Sequence, residues 1–340
     1  MKFSTILFML LMIFKSSAQI NSRINTFNSQ DSIIVKDQYF TSLTDKLLIK
    51  LTSNYKYTTL EIVNTDIDKI AKLYPNGNFA FGMDVGYKWF GLGVAFGLPS
   101  SEEARSNKGN TTRFDIQLNL YSKKVSVDAS LQRYKGFYID NPDNFTDWDS
   151  PVFPQLPDMR NYFIGVSAYY IVNHKKFSYR AAYVRNEIQN KSAGSILVGS
   201  FFNFDEAFTS DQFIPTSLPS DAQESFPIDF FSSTSYGLAI GYTYSLVIKK
   251  KGFINLSLVP GVGIKDIKTR LNNVLVASKH GFTTRVTYKL ALGYEHRSFL
   301  LGFTHSGNQG NIKINKFEFI PRTGNLKFFI AKRFDIKKKK

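Results

Sequence analysis

The chain contains no cysteine, and this absence excludes several kinds of chemistry at once. Without thiols the protein has no disulfide framework, no cysteine-based metal site and no thiol nucleophile. Long apolar runs are also missing. Beyond the N-terminal segment no run approaches the roughly 20 residues that a membrane-spanning helix needs. The sequence therefore excludes a helical membrane protein.

The first 18 residues have the pattern of a secretory signal peptide. Lys2 is followed by an apolar run from Ile6 to Phe14, and the small residues Ser16 and Ala18 come next. A basic start, a short apolar core and small residues at a cleavage site are typical of an exported protein cut after Ala18. The alternative, a membrane helix, is too short to span. We therefore predict a signal peptide at 1–18.

Residues 78–99, NFAFGMDVGYKWFGLGVAFGLP, alternate between large apolar side chains and small or polar ones. Alternation with period two places each kind of side chain on its own face of a sheet. Because the second face is mostly glycine and alanine, the pattern fits a soluble sheet poorly. Lipid accepts the bulky face, and the lumen of a barrel needs small and polar residues. This stretch predicts a hairpin in the wall of a transmembrane barrel.

Similar alternation recurs in segments of about ten residues, which is the length of a tilted membrane crossing. The other predicted strands lie within residues 46–63, 112–121, 125–131, 161–172, 176–184, 195–202, 236–248, 254–262, 286–294, 299–303 and 325–334. With these assignments 195–202 and 236–248 run in the same direction, so at least one assignment is wrong. We predict an all-β fold, a transmembrane antiparallel β-barrel of about 12–14 strands.

The connections between the predicted strands form two classes. Short, mostly basic turns alternate with four longer polar stretches, at 100–110, 140–160, 205–233 and 265–280. Short turns of outer-membrane barrels face the periplasm and long loops face outside. The predicted organisation is a signal peptide (1–18), a polar lead segment (19–45), the outer-membrane barrel (46–336) and a basic tail (337–340).

The formal net charge of +16 favours a negatively charged partner. Export argues against nucleic acid, and the basic residues cluster in turns and in the tail rather than on one groove. Outer-membrane lipids, including lipopolysaccharide with its phosphates, are the expected partners. Charges of both signs on the predicted inner face favour a salt-bridge network inside a narrow barrel over an open pore. These residues are Asp84, Arg113, Asp115, Asp128, Arg285 and Lys289.

Several short segments resemble one family. They are Lys72–Asn76 (KLYPN), Gly86–Leu92 (GYKWFGL), 132–138 (QRYKGFY), 191–195 (KSAGS) and the pair Pro260 and Gly261. Together with the signal peptide they are similar to the uncharacterised Bacteroidetes family numbered 4421 among the domains of unknown function. The resemblance covers most of the mature chain. It implies an outer-membrane β-barrel and assigns no activity or site residues.

Candidate catalytic residues are few, because the chain has only four histidines. His174, His280 and His296 lie in turns or at a loop end and are expected to be solvated. His305, followed by Ser306 and Asn308, is similar to the His, Ser and Asn of outer-membrane phospholipase and lipid A deacylase barrels. A hydroxyl nucleophile needs a base within hydrogen-bond reach and a third group to orient that base. Those families place one residue between His and Ser, whereas here the two are adjacent and point to opposite faces of a strand.

The aspartates of the 139–150 loop show no regular metal-ligand spacing, so no metal or cofactor is predicted. The sequence favours a non-enzymatic outer-membrane barrel that binds or passes a small ligand, or that serves envelope integrity. The first alternative is a lipid esterase or deacylase using His305 and Ser306. A second alternative, a soluble exported β-protein, is distinguished by whether the mature protein needs detergent.

Overall fold

The computed structural model describes residues 39–77, 79–87, 90–249, 251–271, 274–296 and 298–336. The predicted signal peptide, most of the lead segment and the basic tail lie outside these residues, as do the side chains of residues 90–92, 271, 275–279 and 296. No helix within the described ranges is long and apolar enough to span a membrane.

Most of the described chain is β-strand. The first strands are β1 (Phe40–Ser42), β2 (Lys46–Asn64), β3 (Lys69–Tyr74), β4 (Phe79–Tyr87), β5 (Phe90–Gly97), β6 (Thr112–Tyr121), β7 (Val125–Ile139) and β8 (Gln155–Ile171). The remaining strands are β9 (Glu187–Gln189), β10 (Ala193–Phe208), β11 (Ile228–Ile248), β12 (Gly252–Leu271), β13 (Val274–His296), β14 (Phe299–Ile314) and β15 (Phe317–Asp335). Three short α-helices and one 3₁₀ helix (Pro142–Asn144) lie in the described connections; the α-helices are α1 (Glu102–Lys108), α2 (Tyr179–Tyr183) and α3 (Ser220–Ser225).

Antiparallel pairing closes this sheet into a barrel. Among the described residues the main sheet has 13 strands, and β15 pairs with β2 along the full length of both. Ten strands form the closed ring, in the order β2, β3, β7, β8, β10, β11, β12, β13, β14 and β15. The barrel class predicted from the sequence is confirmed, and the closed ring has ten strands where 12–14 were predicted. We call the end where β2 begins the basal end and the opposite end the distal end.

The wall differs between its two ends. Distally, β2 pairs with β3, and β3 pairs with β7 through Leu73 and Tyr74. Basally, β2 pairs instead with β4, β4 with β5, and β6 with β7, so these three strands replace β3 in the wall. Strands β3 and β4 follow one another along the same partner strand, and the Pro75–Gly77 turn separates them.

The alternation of side chains also reverses between the ends. In the basal part the outward side chains are apolar and exposed, with Leu238 at 72% and Phe282 at 89% exposure. In the distal part the outward face carries ion pairs such as Lys135–Asp158 (3.6 Å), and the inward face is apolar. The basal part therefore has the pattern of a membrane barrel and the distal part that of a water-soluble one.

One strand predicted from the sequence is wrong. Within 176–184 the chain forms α2, and the segment from 172 to 192 is not part of the barrel wall. Without that strand β10 runs distally and β11 runs basally, which resolves the conflict of strand directions. The predicted 265–280 loop is also wrong, because β12 and β13 continue through most of it as a paired hairpin.

Candidate functional site: a polar chamber closed by a basal plug

A polar cavity of about 550 Å³ lies inside the basal half of the barrel. Its wall is formed by inward side chains of the strands, and residues of the 172–192 segment contribute to its lining. We call this cavity the chamber and residues 172–192 the basal plug. The volume of the chamber is within the range of small-molecule sites, about 300–1,000 Å³.

Ion pairs cross the chamber between strands that are not neighbours. Lys56 on β2 lies 2.9 Å from Asp115 on β6, and Lys327 on β15 lies 3.0 Å from Asp84 on β4. Lys289 on β13 pairs with Asp128 on β7. The sequence-based expectation of charges of both signs inside the barrel therefore holds for Asp84, Asp115, Asp128 and Lys289.

The cations of the chamber outnumber its anions. Its acidic lining residues are the three aspartates of these ion pairs, whereas its basic lining residues also include Lys50, Arg180 and Arg285. Arg180 is neutralised by Glu187 of the basal plug at 3.2 Å. Arg285, which is 5% exposed, donates to the Asn308 side chain at 2.6 Å, and its Nε and Nη1 have no hydrogen-bond partner among the described residues. Lys50 and Arg285 are thus the basic lining residues without a carboxylate within 4 Å among the described residues.

The basal plug is a compact unit with its own hydrogen bonds. The Ser178 side chain caps α2 by accepting from the Ala181 amide at 3.1 Å. Gln189 accepts from the Ser178 amide at 3.0 Å and donates to the Lys176 carbonyl at 2.7 Å. Strand β9 of the plug pairs with β1 in a separate two-stranded sheet. The plug can therefore keep its shape while its contacts with the wall change.

Two tyrosines of α2 attach the plug to the wall. The hydroxyl of Tyr183 donates to Asn255 at 2.6 Å, and the hydroxyl of Tyr179 lies 2.7 Å from that of Ser257. The Lys289 ammonium lies 5.1–5.6 Å from the ring centroids of Tyr121, Tyr179 and Tyr183. A cation over aromatic faces is attracted by their π electrons. Lys289, which lies on β13 and pairs with Asp128 on β7, therefore links the plug to two opposite strands of the wall.

A buried ion pair network holds the C-terminal part of the plug. Arg185 lies 2.9 Å from Glu295 on β13, and Arg333 on β15 pairs with the same carboxylate. Arg333 also donates to the Arg185 carbonyl at 2.8 Å. Burial lowers the pKa of Arg185 to about 10, with Glu295 opposing the shift, so Arg185 remains charged at neutral pH. One carboxylate thus joins the plug to two wall strands.

The distal side of the barrel interior is filled by apolar packing. Residues 209–227, which we call the distal cap, insert Phe213, Leu218 and Phe226 among inward side chains of the wall. Phe226 makes an edge contact with Phe145 at 5.8 Å between ring centroids. Asn64 donates to the Ser225 carbonyl at 2.7 Å and fixes the cap to β2. A hydrated solute therefore meets an apolar layer on the distal side of the chamber.

The structure does not bring His305 and Ser306 together. Both lie in the continuous strand β14, where His305 faces outward and Ser306 lines the chamber. His305 Nε2 lies 3.2 Å from the Tyr57 hydroxyl, which is 2.8 Å from the Tyr288 hydroxyl. Asn308 also lines the chamber and accepts from Arg285 and Thr287. Of the three candidate catalytic residues, His305 therefore lies on the outer face of the barrel, and Ser306 and Asn308 lie in the chamber.

The other histidines and the acidic loop form no shared site. His174 lies 3.2 Å from the Ile171 carbonyl, and His280 lies 3.6 Å from Asp266. The side chain of His296 lies outside the described residues. Within the described chain no group of three or more His, Asp or Glu side chains could hold a metal ion.

Sequence reasoning missed the residues that close the chamber. The alternation of 176–184 predicts a strand that contains the motif Tyr179-Arg180-Ala181-Ala182-Tyr183, although its tyrosines are four residues apart, which is the spacing of one helix face. Ser178 before it is a preferred helix-capping residue type. These two signals could have identified α2. The pairing of Arg185 with Glu295 spans 110 positions and had no local signal.

A closed antiparallel barrel with exposed apolar side chains around its basal half defines a transmembrane β-barrel protein. The profile of the family described as Domain of unknown function (DUF4421) matches residues 29–334, so the chain belongs to that family. No curated protein sequence matches the chain.

Solved structures of outer-membrane proteins share the general architecture. The outer membrane protease OmpT from Escherichia coli is 9% identical, with 88% of this chain and 99% of that chain covered and a TM-score of 0.39. The toluene transporter TodX of P. putida is 7% identical, covering 86% and 91%, with a TM-score of 0.28. OmpT, an outer membrane protein of Vibrio cholerae, is 8% identical, covering 88% and 100%, with a TM-score of 0.27. Similarity at this level carries no information about function.

Proposed function

We propose that the chain is a non-enzymatic outer-membrane binding protein whose chamber holds a small anionic group. The observation that carries this proposal is the polar chamber with two basic side chains, Lys50 and Arg285, that no carboxylate in the described chain pairs with within 4 Å. Positive charge that is surrounded by low-dielectric walls attracts anions more strongly than the same charge in water.

The basal plug would control exchange between the chamber and water. It contacts the wall through the hydrogen bonds and ion pairs described above and through apolar packing of Phe177 and Ala182, so its release has to break both kinds of contact. In this proposal export delivers the chain to the outer membrane and the basal end faces the periplasm, because the long connections other than the plug, at 98–111, 140–154 and 209–227, lie away from the basal end. Outer-membrane lipids, including lipopolysaccharide, would surround the apolar band of the barrel.

Cysteine accessibility tests this proposal, because the chain has no cysteine of its own. Ser306→Cys places a thiol in the chamber, and Ser122→Cys in an exposed turn corrects for the intrinsic rates of the reagents. We expect an anionic methanethiosulfonate to label Ser306→Cys at least fivefold faster, relative to Ser122→Cys, than a cationic one of similar size. Equal rates, or faster labelling by the cation, would contradict an anion-binding chamber.

The role of the plug is tested in the same background. Tyr179→Ala with Tyr183→Ala removes the tyrosine contacts with Lys289 and the wall and leaves the chamber charges unchanged. We expect labelling of Ser306→Cys to become about tenfold faster. The matched control is Tyr236→Ala with Tyr242→Ala, which removes two exposed, lipid-facing tyrosines of β11. If the α2 and β11 variants label at the same rate, the plug does not gate the chamber.

A further inference from the structure

The barrel wall has a seam between β5 and β6. Each of these strands has one antiparallel neighbour, β4 for β5 and β7 for β6, and no pairing joins the described residues of β5 to those of β6. Backbone groups along both edges thus lack partners in the sheet. Inside a membrane such groups are tolerated where they line a water-filled cavity. The seam borders the chamber, which can supply that water.

The chamber borders both strands of this seam. Its lining includes Gly93 and Ala95 of β5, Asp115 and Gln117 of β6, and also Val94 and Ile116. The latter two side chains are 51% exposed on the outer, lipid-facing surface. Because no strand pairing closes the wall between the described residues of β5 and β6, the chamber and the lipid face each other across the seam.

Full-length pairing with β7 and contacts across the lumen, rather than pairing with β5, hold β6 in place. Asp115 pairs with Lys56 on β2, and Gln117 accepts from Asn325 on β15 at 3.2 Å. At the distal end of the seam Arg113 donates to the carbonyls of Gly77 and Phe79. These contacts close the distal end of the seam. Towards the basal end, no described side chain joins β5 to β6.

Arg285 provides a recognition group inside the same cavity. Its guanidinium is buried, and two of its nitrogen atoms have no hydrogen-bond partner among the described residues. It lies 5.2 Å from the ring centroid of Phe201 and beside Asn308. Asp205 contributes a negative charge in its vicinity but forms no described ion pair with it. A carboxylate or phosphate oxygen is a strong acceptor for either donor; because Nε–H and Nη1–H diverge, one such group accepts from one of them.

We infer that the chamber receives an anionic amphiphile, with its carboxylate or phosphate head at Arg285 and its single acyl chain leaving through the seam into lipid. This inference rests on the proposed function, because it specifies the ligand of the same chamber. The polar lumen supplies the head site, and Val94 and Ile116 supply an apolar exit for the chain. A ligand with this shape enters from the membrane and does not have to cross the apolar distal cap.

Photolabelling tests the inference on the intact barrel in nanodiscs. The probes are decanoic acid and decyl phosphate, each with a diazirine near the end of the chain, and the readout is the labelled peptide. We expect label to concentrate on residues 93–97 and 112–121. Comparing the two probes identifies which head group is preferred. Label spread evenly over all lipid-facing strands, as for a bulk lipid, would contradict the inference.

Two variants separate head and tail recognition. Arg285→Gln is expected to lower labelling at the seam at least fivefold, whereas Arg270→Gln, at an outward-facing arginine paired with Asp229, leaves it unchanged. Ile116→Trp keeps Arg285 and narrows the seam, and it is expected to reduce labelling by a similar factor. Unchanged labelling in Ile116→Trp would contradict the seam as the exit, even if Arg285→Gln failed to fold.

Failure of this inference is distinguishable from failure of the proposed function. If Ser306→Cys still reacts preferentially with the anionic reagent but the diazirine probes do not label the seam, the chamber binds a water-soluble anion. That result would contradict the proposal of an amphiphilic ligand and would support the proposal of an anion-binding chamber. If the thiol reagents show no anion preference while the seam is labelled independently of Arg285, neither the head site nor the proposed function stands.

Discussion

At the residue scale, single charged side chains join parts of the molecule that are far apart in sequence. Lys289 pairs with Asp128 of the wall and lies over two tyrosines of the basal plug. Glu295 binds both Arg185 of the plug and Arg333 of β15. In a low-dielectric interior such a charge is stable only while its partners are present, because an unpaired buried charge is strongly destabilising. The plug and the wall therefore stabilise each other.

Glu295→Gln tests this coupling. The substitution leaves two buried guanidinium groups with a neutral partner, and breaking a buried ion pair costs about 3–5 kcal/mol. We expect the temperature at which the folded band is lost on an unboiled gel to fall by several degrees.

The control for Glu295→Gln is Asp335→Asn. Asp335 also forms an ion pair, with Lys46 at 2.9 Å, but its side chain is 84% exposed. Exposed pairs contribute little to stability. Equal effects of the two substitutions would show that the Glu295 network does not stabilise the folded barrel.

At the scale of elements, the strand register shifts at the point where β7 changes partners. Basally β7 pairs with β6, and distally it pairs with β3. A register shift between Lys135 and Phe137 lies just before this change, and Gly136 within it has a φ of +90°. A bulge adds one residue to a strand and redirects the side chains that follow. The inward positions consequently change from Gln132 and Tyr134 to Phe137 and Ile139.

Gly136→Ala is expected to destabilise the barrel. Alanine is strained at this φ, and its Cβ would meet the Asn110 carbonyl oxygen. Substitution at an incompatible backbone conformation costs more than about 1 kcal/mol. Gly281→Ala is the matched control, because the Cβ there would meet only Lys265 at an ordinary 3.6 Å. Thermal denaturation of both variants in the same detergent would measure the difference, and equal midpoints would contradict a requirement for glycine at the bulge.

At the scale of the whole molecule, one barrel contains two solvent environments. Its basal half has apolar side chains outside and a polar chamber inside, whereas its distal half has charges outside and an apolar core inside. The basal half matches a bilayer and the distal half matches water. The barrel therefore extends beyond the membrane on the distal side.

A closed barrel of this kind predicts heat-modifiable migration on a gel. The detergent-extracted protein should run faster without boiling than after boiling, because pairing of β15 with β2 leaves a compact ring that detergent alone does not open. Loading matched samples of one preparation, with and without boiling, provides the measurement. Identical migration of the two samples, with the protein found in the soluble fraction, would contradict the transmembrane barrel.

Alternation along the chain determined the class of fold. The pattern at 79–87 predicted outward Phe79, Phe81 and Met83, and all three are exposed on the barrel surface. This information is local, because period two fixes the two faces of a strand wherever its partners lie. The same local reasoning placed His305 and Ser306 on opposite faces. The family resemblance came from short motifs such as KLYPN at 72–76, and the profile match to residues 29–334 confirms membership of the DUF4421 family.

Tertiary structure alone decided where the plug attaches, and it alone decided the chamber and the seam. Residues 176–184 alternate well enough to suggest a strand, and the local signals for α2 do not indicate that Tyr179 and Tyr183 contact β12 and Lys289. The sequences of β5 and β6 likewise do not predict whether the two strands pair, because both alternate in the same way as paired strands. Such features depend on contacts between distant residues, and a local pattern carries no information about which distant residues will meet.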